Sequence, residues 1–408
     1  CASFVSVFAL LLVIGQQSFA SDADQSVGVL KSLVVTAEED ALQKLFFLGL
    51  YASKQQNYKA SIAIFSDMLK RTSSPRVKLE LARSLFLDRQ FQASKSIYQE
   101  VLSGQGVPWS VKQNIRLYLN QIDSDIGYVK FGISFVSDSN PENFTSSEEV
   151  NISGRTLKVV RPSGDQEVMG VRYSMDSGFP LSDDSRTQAY LNASFSDFEG
   201  GKLERWISDI GIVSSFESLP RVKVKAGVEY SEQNGRKRYD FSYLSTFYTP
   251  NIADQFRYNY QFRAGRLVIH GAPHLDAHVY RATANFTKSL QNDFFADGSL
   301  AFEKSVARET PYSYHEGTLA LGLDMPINDW GVRLSSSASL RFYGDIDPFF
   351  GERRRDFKKK LGFVLSNERI HTYGYKPEIG LTYEKNNSSL GYFEYDKISL
   401  VFSLVEGY

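Results

Sequence analysis

Hydrophobic and polar residues alternate along the C-terminal two-thirds of the chain, from residue 127 to the end. In residues 222–230, valine, alanine and tyrosine take the even positions, and lysine, glycine and glutamate take the odd ones. Residues 256–263 repeat the pattern with phenylalanine and tyrosine against arginine, asparagine and glutamine. Successive side chains of a β-strand point to opposite faces, so this period of two predicts strands with one apolar and one polar face.

Segments of this kind follow one another to the end of the chain, and we count fourteen of them. They begin near residues 128, 166, 187, 204, 221, 237, 255, 276, 293, 315, 329, 356, 375 and 394. This leaves about 20 residues for each strand and its connection, which suits a membrane-spanning barrel. We therefore predict an all-β transmembrane barrel of about 14 antiparallel strands over residues 127–408.

The even number of strands would return the chain to the side on which the first strand began, the periplasm. On that side we expect the short turns, at residues 180–185, 218–221, 249–253 and 326–329. The longer connections would then be extracellular, at residues 138–165, 265–275 and 343–355. Periodicity alone leaves a soluble β-sandwich open. The number of strands, the 30 Phe and 23 Tyr residues and a secretion signal favour the barrel, because a closed sheet leaves no unpaired edge in lipid.

The secretion signal is predicted at residues 1–20. An apolar stretch over residues 7–14 is followed by Ser18-Phe19-Ala20, with small residues at the −3 and −1 positions of a cleavage site. The charged start and the initiating Met are missing, so we expect the first residues to be absent from this sequence. A lipid anchor on Cys1 is disfavoured, because a lipidated Cys follows the apolar stretch. Cleavage after Ala20 would leave no cysteine and hence no disulfide.

Residues 38–125 have helical periodicity and contain an internal repeat. The segment Asn57-Tyr58-Lys59-Ala60-Ser61 matches Gln90-Phe91-Gln92-Ala93-Ser94, and each matched pair is 33 residues apart. This spacing is typical of tetratricopeptide repeats, in which aromatic residues fill the space between helices. We therefore predict a small all-α, tetratricopeptide-like domain over residues 21–126, with residues 109–122 as a cap. The aromatics expected to pack the repeats are Tyr58, Phe65, Phe91 and Tyr98. A generic pair of helical hairpins is the alternative.

Charge and motifs exclude several functions. The formal net charge is −1, so no overall electrostatic field attracts nucleic acid. His270, His274 and His278 recur every fourth residue, but Gly271 and Pro273 argue against a helical metal site. A barrel-rim hydrolase would need a nucleophile beside a histidine, and the sequence identifies none. We expect no enzymatic activity, no cofactor and no metal.

Two groups of charged residues are candidates for the barrel interior. Arg257 and Arg263 lie on the polar face of their segment, and a lipid-facing Arg at the bilayer midplane costs about 2–4 kcal/mol; we expect both in the lumen. The second group is an extracellular loop that would either fold inward and meet lumen charges or stay solvated. It contains Asp347, Pro348, Phe349, Phe350, Gly351, Arg353, Arg354, Arg355 and Asp356.

Four stretches of the chain together resemble a known protein family. The helical part has Val77-Lys78-Leu79-Glu80-Leu81-Ala82-Arg83-Ser84-Leu85-Phe86. The first strand ends in Asp138-Ser139-Asn140-Pro141-Glu142-Asn143, and residues 347–356 look like the family's Asp-Pro-Phe-Phe-Gly-x-Arg-Arg-x-Asp. Asn387-Ser388-Ser389 with Tyr395-Asp396-Lys397 is similar to its penultimate hairpin. These stretches resemble the surface lipoprotein assembly modulators (Slam), outer-membrane translocons of the type XI secretion system. The resemblance covers essentially the whole mature chain.

This resemblance implies a translocon in the cell outer membrane, with the N-terminal domain in the periplasm. Its partners would be a cargo lipoprotein, or a secreted soluble binding protein such as a haem carrier, and outer-membrane lipid. Periplasmic chaperones and the β-barrel assembly machinery are further candidates. The loop at residues 347–356 would line or gate the passage, and a lateral route through the seam of the barrel stays open. A passive porin-like channel is the alternative function.

The assignment of faces gives a first mutational expectation. Val224→Arg should impair barrel assembly, because Val224 would face lipid, whereas Lys225→Ala on the other face should be nearly silent.

Overall fold

A computed structural model of the chain describes residues 39–104, 106–152, 154–160, 168–182, 186–198, 203–250, 256–291, 294–367, 370 and 375–406. The predicted secretion signal at residues 1–20 lies outside the described residues. Among the helices that are described, none is both long and apolar enough to cross a membrane. The chain divides into two compact units, Cys1–Val107 and Pro108–Tyr408.

The first unit is helical. Its helices are residues 39–54 (α1), Tyr58–Leu69 (α2), Pro75–Leu87 (α3) and Phe91–Leu102 (α4). Helix α2 begins where the Asn57 side chain accepts a hydrogen bond from the Ala60 backbone N–H at 3.2 Å, and α3 begins with Pro75, a residue suited to the first helical turn. The four helices share an apolar core formed by Phe46, Phe65, Met68, Val77, Leu81 and Leu85, with Ile97 packed against it.

The 33-residue offset of the sequence is kept in the hydrogen bonds of this unit. The buried Ser61 hydroxyl donates to the Gly49 carbonyl at 3.0 Å, and the buried Ser94 hydroxyl donates to the Ala82 carbonyl at 2.7 Å. Each bond ties the second helix of a pair to the first, and donors and acceptors are both 33 residues apart. The helices α1–α2 and α3–α4 are therefore equivalent pairs.

The predicted packing aromatics divide into two kinds. Phe65 and Tyr98 are fully buried, with exposed fractions of 0% and 2%. Tyr58 and Phe91 stand at the first position of α2 and α4 and are half-buried. The ring of Phe91 contacts that of Phe86 at a centroid distance of 5.9 Å.

The second unit begins with helix Trp109–Ile126 (α5), which contacts the barrel that follows it. Asp123 of α5 forms an ion pair with Lys130 at 2.8 Å, and the Ser124 carbonyl accepts a hydrogen bond from the Gln188 side chain at 2.6 Å. These bonds explain why α5, which we had placed in the helical domain, is grouped with the barrel.

The barrel is a closed antiparallel sheet of fourteen strands, as predicted. Its strands are Tyr128–Asp138 (β1), Val168–Pro180 (β4), Thr187–Phe198 (β5), Leu203–Ser215 (β6), Val222–Gln233 (β7), Arg236–Tyr248 (β8), Phe256–Ile269 (β9), Ala277–Ser289 (β10), Phe295–Ala307 (β11), Tyr314–Ile327 (β12), Trp330–Ile346 (β13), Arg353–Asn367 (β14), Tyr375–Ser388 (β15) and Tyr395–Glu406 (β16). The strands follow one another around the barrel in chain order, and β1 closes it against β16.

Two features of the connections differ from the prediction. The first long connection contains a small hairpin, Glu149–Ile152 (β2) and Arg155–Lys158 (β3), which pair only with each other. The loop predicted over residues 343–355 is much shorter, because β13 and β14 extend from both sides and leave only residues 347–352 between them. Residues 353–355 are three consecutive arginines. Apolar and polar residues therefore do not alternate there, and the sequence does not indicate a strand.

The two faces of the barrel wall differ as the alternation predicts. Large apolar side chains are exposed on the outer face, for example Phe131 at 61% and Leu300 at 62%. Ion pairs between neighbouring strands lie on the other face, which encloses the interior. The β-sheet therefore has an apolar outer surface and a polar lumen.

Candidate functional site

One wall of the lumen carries a polar network on β5 to β8. Asp209 is its centre: its carboxylate lies 3.1 Å from the Tyr190 hydroxyl and 2.8 Å from the Tyr243 hydroxyl. Lys225 donates to the other Asp209 oxygen at 3.0 Å and stands 3.8 Å above the centre of the Tyr190 ring. The negative charge of Asp209 is thus neutralised and fully hydrogen-bonded inside the barrel.

Arg263, one of the two arginines predicted to face the lumen, extends this network. Its guanidinium lies 3.3 Å from a Glu229 carboxylate oxygen and 3.7 Å from the centre of the Tyr243 ring. Glu229 also accepts a hydrogen bond from Tyr239 at 2.6 Å. Arg257 belongs to the same face of β9 and is exposed. Arg263 is therefore held rigidly, and Arg257 offers a positive charge to the lumen.

A second polar group lines β11 to β13. Arg333 bridges Asp297, at 2.8 Å, and Asp324. Further along β13, Arg341 pairs with Glu316 and lies over the Tyr314 ring. These pairs link neighbouring strands, so they fix the wall as well as making the interior polar.

Residues 347–352, the centre of the predicted gating loop, form a tight turn. The Asp347 side chain accepts hydrogen bonds from the backbone N–H groups of Phe349, at 2.9 Å, and Phe350, at 3.2 Å. Gly351 closes the turn with a φ of 75°, a conformation that favours glycine. Pro348 fits beside Asp347 because its missing N–H is not needed there. The two hydrogen bonds to Asp347 and the φ of Gly351 define the backbone conformation of this turn.

The three arginines that follow this turn point to different sides, since they belong to β14. Arg354 is on the interior side: it binds Asp356 at 2.7 Å and lies 3.4 Å from the centre of the Phe393 ring. Asp356 also accepts a hydrogen bond from Ser388 at 2.7 Å. Arg353 and Arg355 are exposed and alternate with Arg354 along the strand. Only Arg354 of the three is placed to act inside the barrel.

The turn packs against two other connections at the end of the barrel that we predict to be extracellular, and we call this assembly the extracellular cap. Phe350 is buried together with Val150 of the β2–β3 hairpin and Leu390 of the β15–β16 turn. The neighbouring Phe349 is 60% exposed. A cavity of about 620 Å³ lies at the cap. Its lining includes Glu142, Asn143, Val159, Arg354, Tyr392 and Phe393.

The segment Asp138–Asn143 ties the first connection to the last strand. The Asn140 side chain bonds the backbone of Phe144 twice, at 2.8 Å each. The Ser139 hydroxyl accepts from the Ile398 N–H at 2.9 Å, and Thr145 donates to the Gly391 carbonyl at 2.6 Å. This segment, one of those that carry the family resemblance, therefore fastens the seam between β1 and β16 at the end where the cap lies.

Several of these residues were not predicted from the sequence. The residues of the first network lie on four different strands, and only the register between these strands brings them together: Tyr190, Asp209, Lys225 and Tyr243. Among the described residues, no cluster of His, Cys, Asp and Glu has the arrangement of a metal site. His270 binds Asp240 at 2.7 Å, and His315 stacks against Phe302 on the outer face.

A model of the surface lipoprotein assembly modifier family matches residues 128–405, almost the whole barrel. No match was found among curated proteins. Of the solved structures, Pseudomonas putida OprB is 7% identical, with a TM-score of 0.40 over 71% of this chain and 96% of that one. CdiB from Acinetobacter baumannii is 8% identical, with a TM-score of 0.36 over 68% of this chain and 60% of that one. Similarities at this level carry no argument about function.

Proposed function

The chain belongs to the surface lipoprotein assembly modifier family, and from this premise we propose that it is an outer-membrane translocon that delivers proteins to the cell surface. The family match over residues 128–405 is the observation that carries the proposal, and it confirms the family indicated by the sequence motifs. It also supports the outer membrane as the location, in agreement with the apolar outer face of the closed barrel.

The transported protein is, in our proposal, a surface lipoprotein or a secreted soluble binding protein such as a haem carrier. A fourteen-stranded lumen lies between filled eight-stranded barrels and open sixteen-stranded porins, so an extended segment or a hairpin fits where a folded domain does not. The networks around Asp209 and Arg333 give such a segment a polar wall whose charges are already paired. An unfolded backbone can therefore pass without meeting an isolated buried charge.

The extracellular cap is proposed as the gate of this passage. Arg354 is its inward-facing charge, held by Asp356 and Phe393. The cap is fastened on both sides, by the Phe350 cluster and by Thr145. A gate built this way moves as one body, with Arg353 and Arg355 left at the surface.

The helical unit is proposed to lie in the periplasm and to receive the cargo. Its two equivalent helix pairs resemble the arrangement of a tetratricopeptide-like array, and such arrays present concave binding surfaces. Periplasmic chaperones would hold the cargo unfolded until then, and the β-barrel assembly machinery would insert the barrel. These partners follow from the proposed role.

Co-expression in a Gram-negative host tests the function. The full chain is produced with a lipoprotein encoded beside its gene, and surface exposure of that lipoprotein is measured by protease digestion of intact cells. We expect exposure only when the chain is present. A host lipoprotein that normally stays periplasmic serves as the control and should remain protected.

A swelling assay tests the porin-like alternative. Proteoliposomes containing the purified chain are tested for sugar uptake by swelling. Size-dependent uptake, together with no cargo at the surface, would replace the translocon by a solute channel.

A further inference from the structure

The seam between β1 and β16 is paired over a shorter length than the rest of the barrel. Six positions are paired across it, from Ile133–Leu404 to Asp138–Ser399. Every other pair of neighbouring barrel strands has ten or more paired positions among the described residues. The fourteen-stranded sheet is thus least strongly closed at this one place.

The seam parts although both strands continue. The next positions in register would join Gly132 to Val405 and Phe131 to Glu406, and neither pair forms. Gly132 and Phe131 still pair with β4, and Val405 and Glu406 still pair with β15. Two strands therefore diverge at the periplasmic end, each with backbone groups turned to the gap.

The opposite end of the seam is fastened. Ser139 donates its backbone N–H to the Ile398 carbonyl at 3.0 Å and receives the Ile398 N–H on its hydroxyl at 2.9 Å. Ser147 donates to the Glu394 carboxylate at 3.0 Å. The seam is thus bonded at its extracellular end and parted at its periplasmic end, so the fewest bonds oppose its opening from the periplasmic end.

A cavity of about 590 Å³ lies where the strands diverge. Phe131, Tyr173 and Leu404 line it from the outer face, and Gly132 and Ser174 belong to the inner face. Ile370 also contributes. A cavity lined from both faces lies at an interruption of the wall, and its lining is mostly apolar.

We infer that the periplasmic end of this seam is the entry site for an extended segment of the transported protein, which adds as a strand to the free edge of β1. This inference rests on the proposed function. Ser139 points its backbone N–H toward β16, and Phe131 lies eight residues earlier, in the regular strand β1 that Ser139 follows. The backbone N–H and C=O groups of Phe131 therefore face the gap and offer the pairing that β-strand addition uses. The segment would alternate apolar and polar residues: one apolar side chain enters the cavity, and the next residue faces the lumen. Continued entry then separates Ile133 from Leu404.

A disulfide across the seam tests the opening. The Ser134 and Ser403 hydroxyl oxygens are 2.9 Å apart, just above the last pair, so Ser134→Cys with Ser403→Cys should form a crosslink under periplasmic oxidation. The control is Thr187→Cys with Ser214→Cys, whose native hydroxyl oxygens are 3.1 Å apart across β5 and β6. Both double-cysteine variants are made in the full chain. Their folding is checked by the difference in electrophoretic mobility between unheated and heated samples.

We expect the seam crosslink to reduce cargo exposure to the level of cells without the chain, and a reductant to restore it. The control crosslink should have no effect. Undiminished delivery by the oxidised seam variant overturns the inference, and so does equal loss in both variants. Absence of delivery by the unmodified chain would instead refute the proposed function.

A photo-crosslinking residue identifies the occupant. Benzoyl-phenylalanine at Phe131 should capture the cargo, whereas the same residue at Phe302, exposed on the outer face of β11, should not. Adducts at Phe131 that contain only lipid would show that the cavity holds acyl chains, and would overturn strand addition.

Discussion

The hydroxyl oxygens of Tyr190 and Tyr243 lie 3.0 Å apart, although two strands run between the strands that carry them. Gly211 and Gly227 occupy the two positions between them in register. A Cβ atom at either glycine would collide with the Tyr190 hydroxyl. The two phenols can meet across the wall only because both intervening side chains are hydrogen atoms.

Gly227→Ala should therefore destabilise the barrel. The added methyl group displaces the Tyr190 hydroxyl and weakens its bonds to Tyr243 and Asp209, and overpacking of this kind costs about 1–3 kcal/mol. The measurement is the temperature at which the folded band is lost in electrophoresis after stepwise heating. Gly317→Ala is the matched control, because a Cβ at Gly317 meets no atom within 4 Å. Equal midpoints for the two variants would contradict the prediction.

The assignment of the two faces is tested in the middle of β7. Val228 is exposed on the outer face, and Val228→Arg should cost about 2–4 kcal/mol if that face meets the bilayer midplane. Lys223→Arg places the same side chain on the inner face of the same strand and should leave assembly unchanged. The amount of folded protein in outer-membrane fractions measures both. A Val228→Arg chain that assembles as well as Lys223→Arg would exclude a lipid-facing role for this surface.

Lys225→Ala, which we expected from the sequence to be nearly silent, is now predicted to destabilise. Lys225 does lie on the inner face, as expected, but there it neutralises Asp209 and stacks on Tyr190. Its removal leaves a half-buried carboxylate without its cation, at a cost of about 1–3 kcal/mol. The thermal midpoint should fall relative to Lys223→Ala, an exposed lysine on the same face. Simultaneous Asp209→Asn should recover part of the loss, which distinguishes lost charge pairing from lost packing.

The barrel itself could be predicted from the sequence because its signal is local. Each strand exposes one apolar face, so the period of two is written into every segment, and the predicted starts lie within three residues of those in the structure. The connection at 347–352 was predicted to be longer than it is, because the local signal is missing there. In Arg353-Arg354-Arg355 both faces of the strand carry charge, so the alternation of apolar and polar residues disappears from the sequence.

The polar networks could not be predicted, because they depend on register between strands. Asp209 and Lys225 are 16 residues apart and meet at 3.0 Å only if β6 and β7 pair as Asp209 with Glu229. A shift of the register by two residues keeps the same faces and removes the bond. The extracellular cap depends on still longer distances, since Thr145 meets Gly391 across 246 positions.

The last prediction concerns the extracellular cap, which a substitution should destabilise without unfolding the barrel. Phe350 is buried among Val150 and Leu390, and truncation of a buried phenylalanine costs about 3–5 kcal/mol. The loss falls on the cap, since none of these three residues belongs to the strand pairing of the barrel. Phe350→Ala should therefore make the β2–β3 hairpin, which carries the exposed Arg155 and Lys158, sensitive to trypsin on intact cells.

The barrel of this variant should keep its mobility difference between unheated and heated samples. Phe349→Ala is the control on the adjacent position: Phe349 is 60% exposed, so its truncation should leave trypsin sensitivity near that of the unmodified chain. If both variants resist trypsin alike, the cap is not held by the Phe350 cluster. If both lose the folded band, the cap and the barrel form one cooperative unit, and opening of the cap cannot occur without unfolding of the wall.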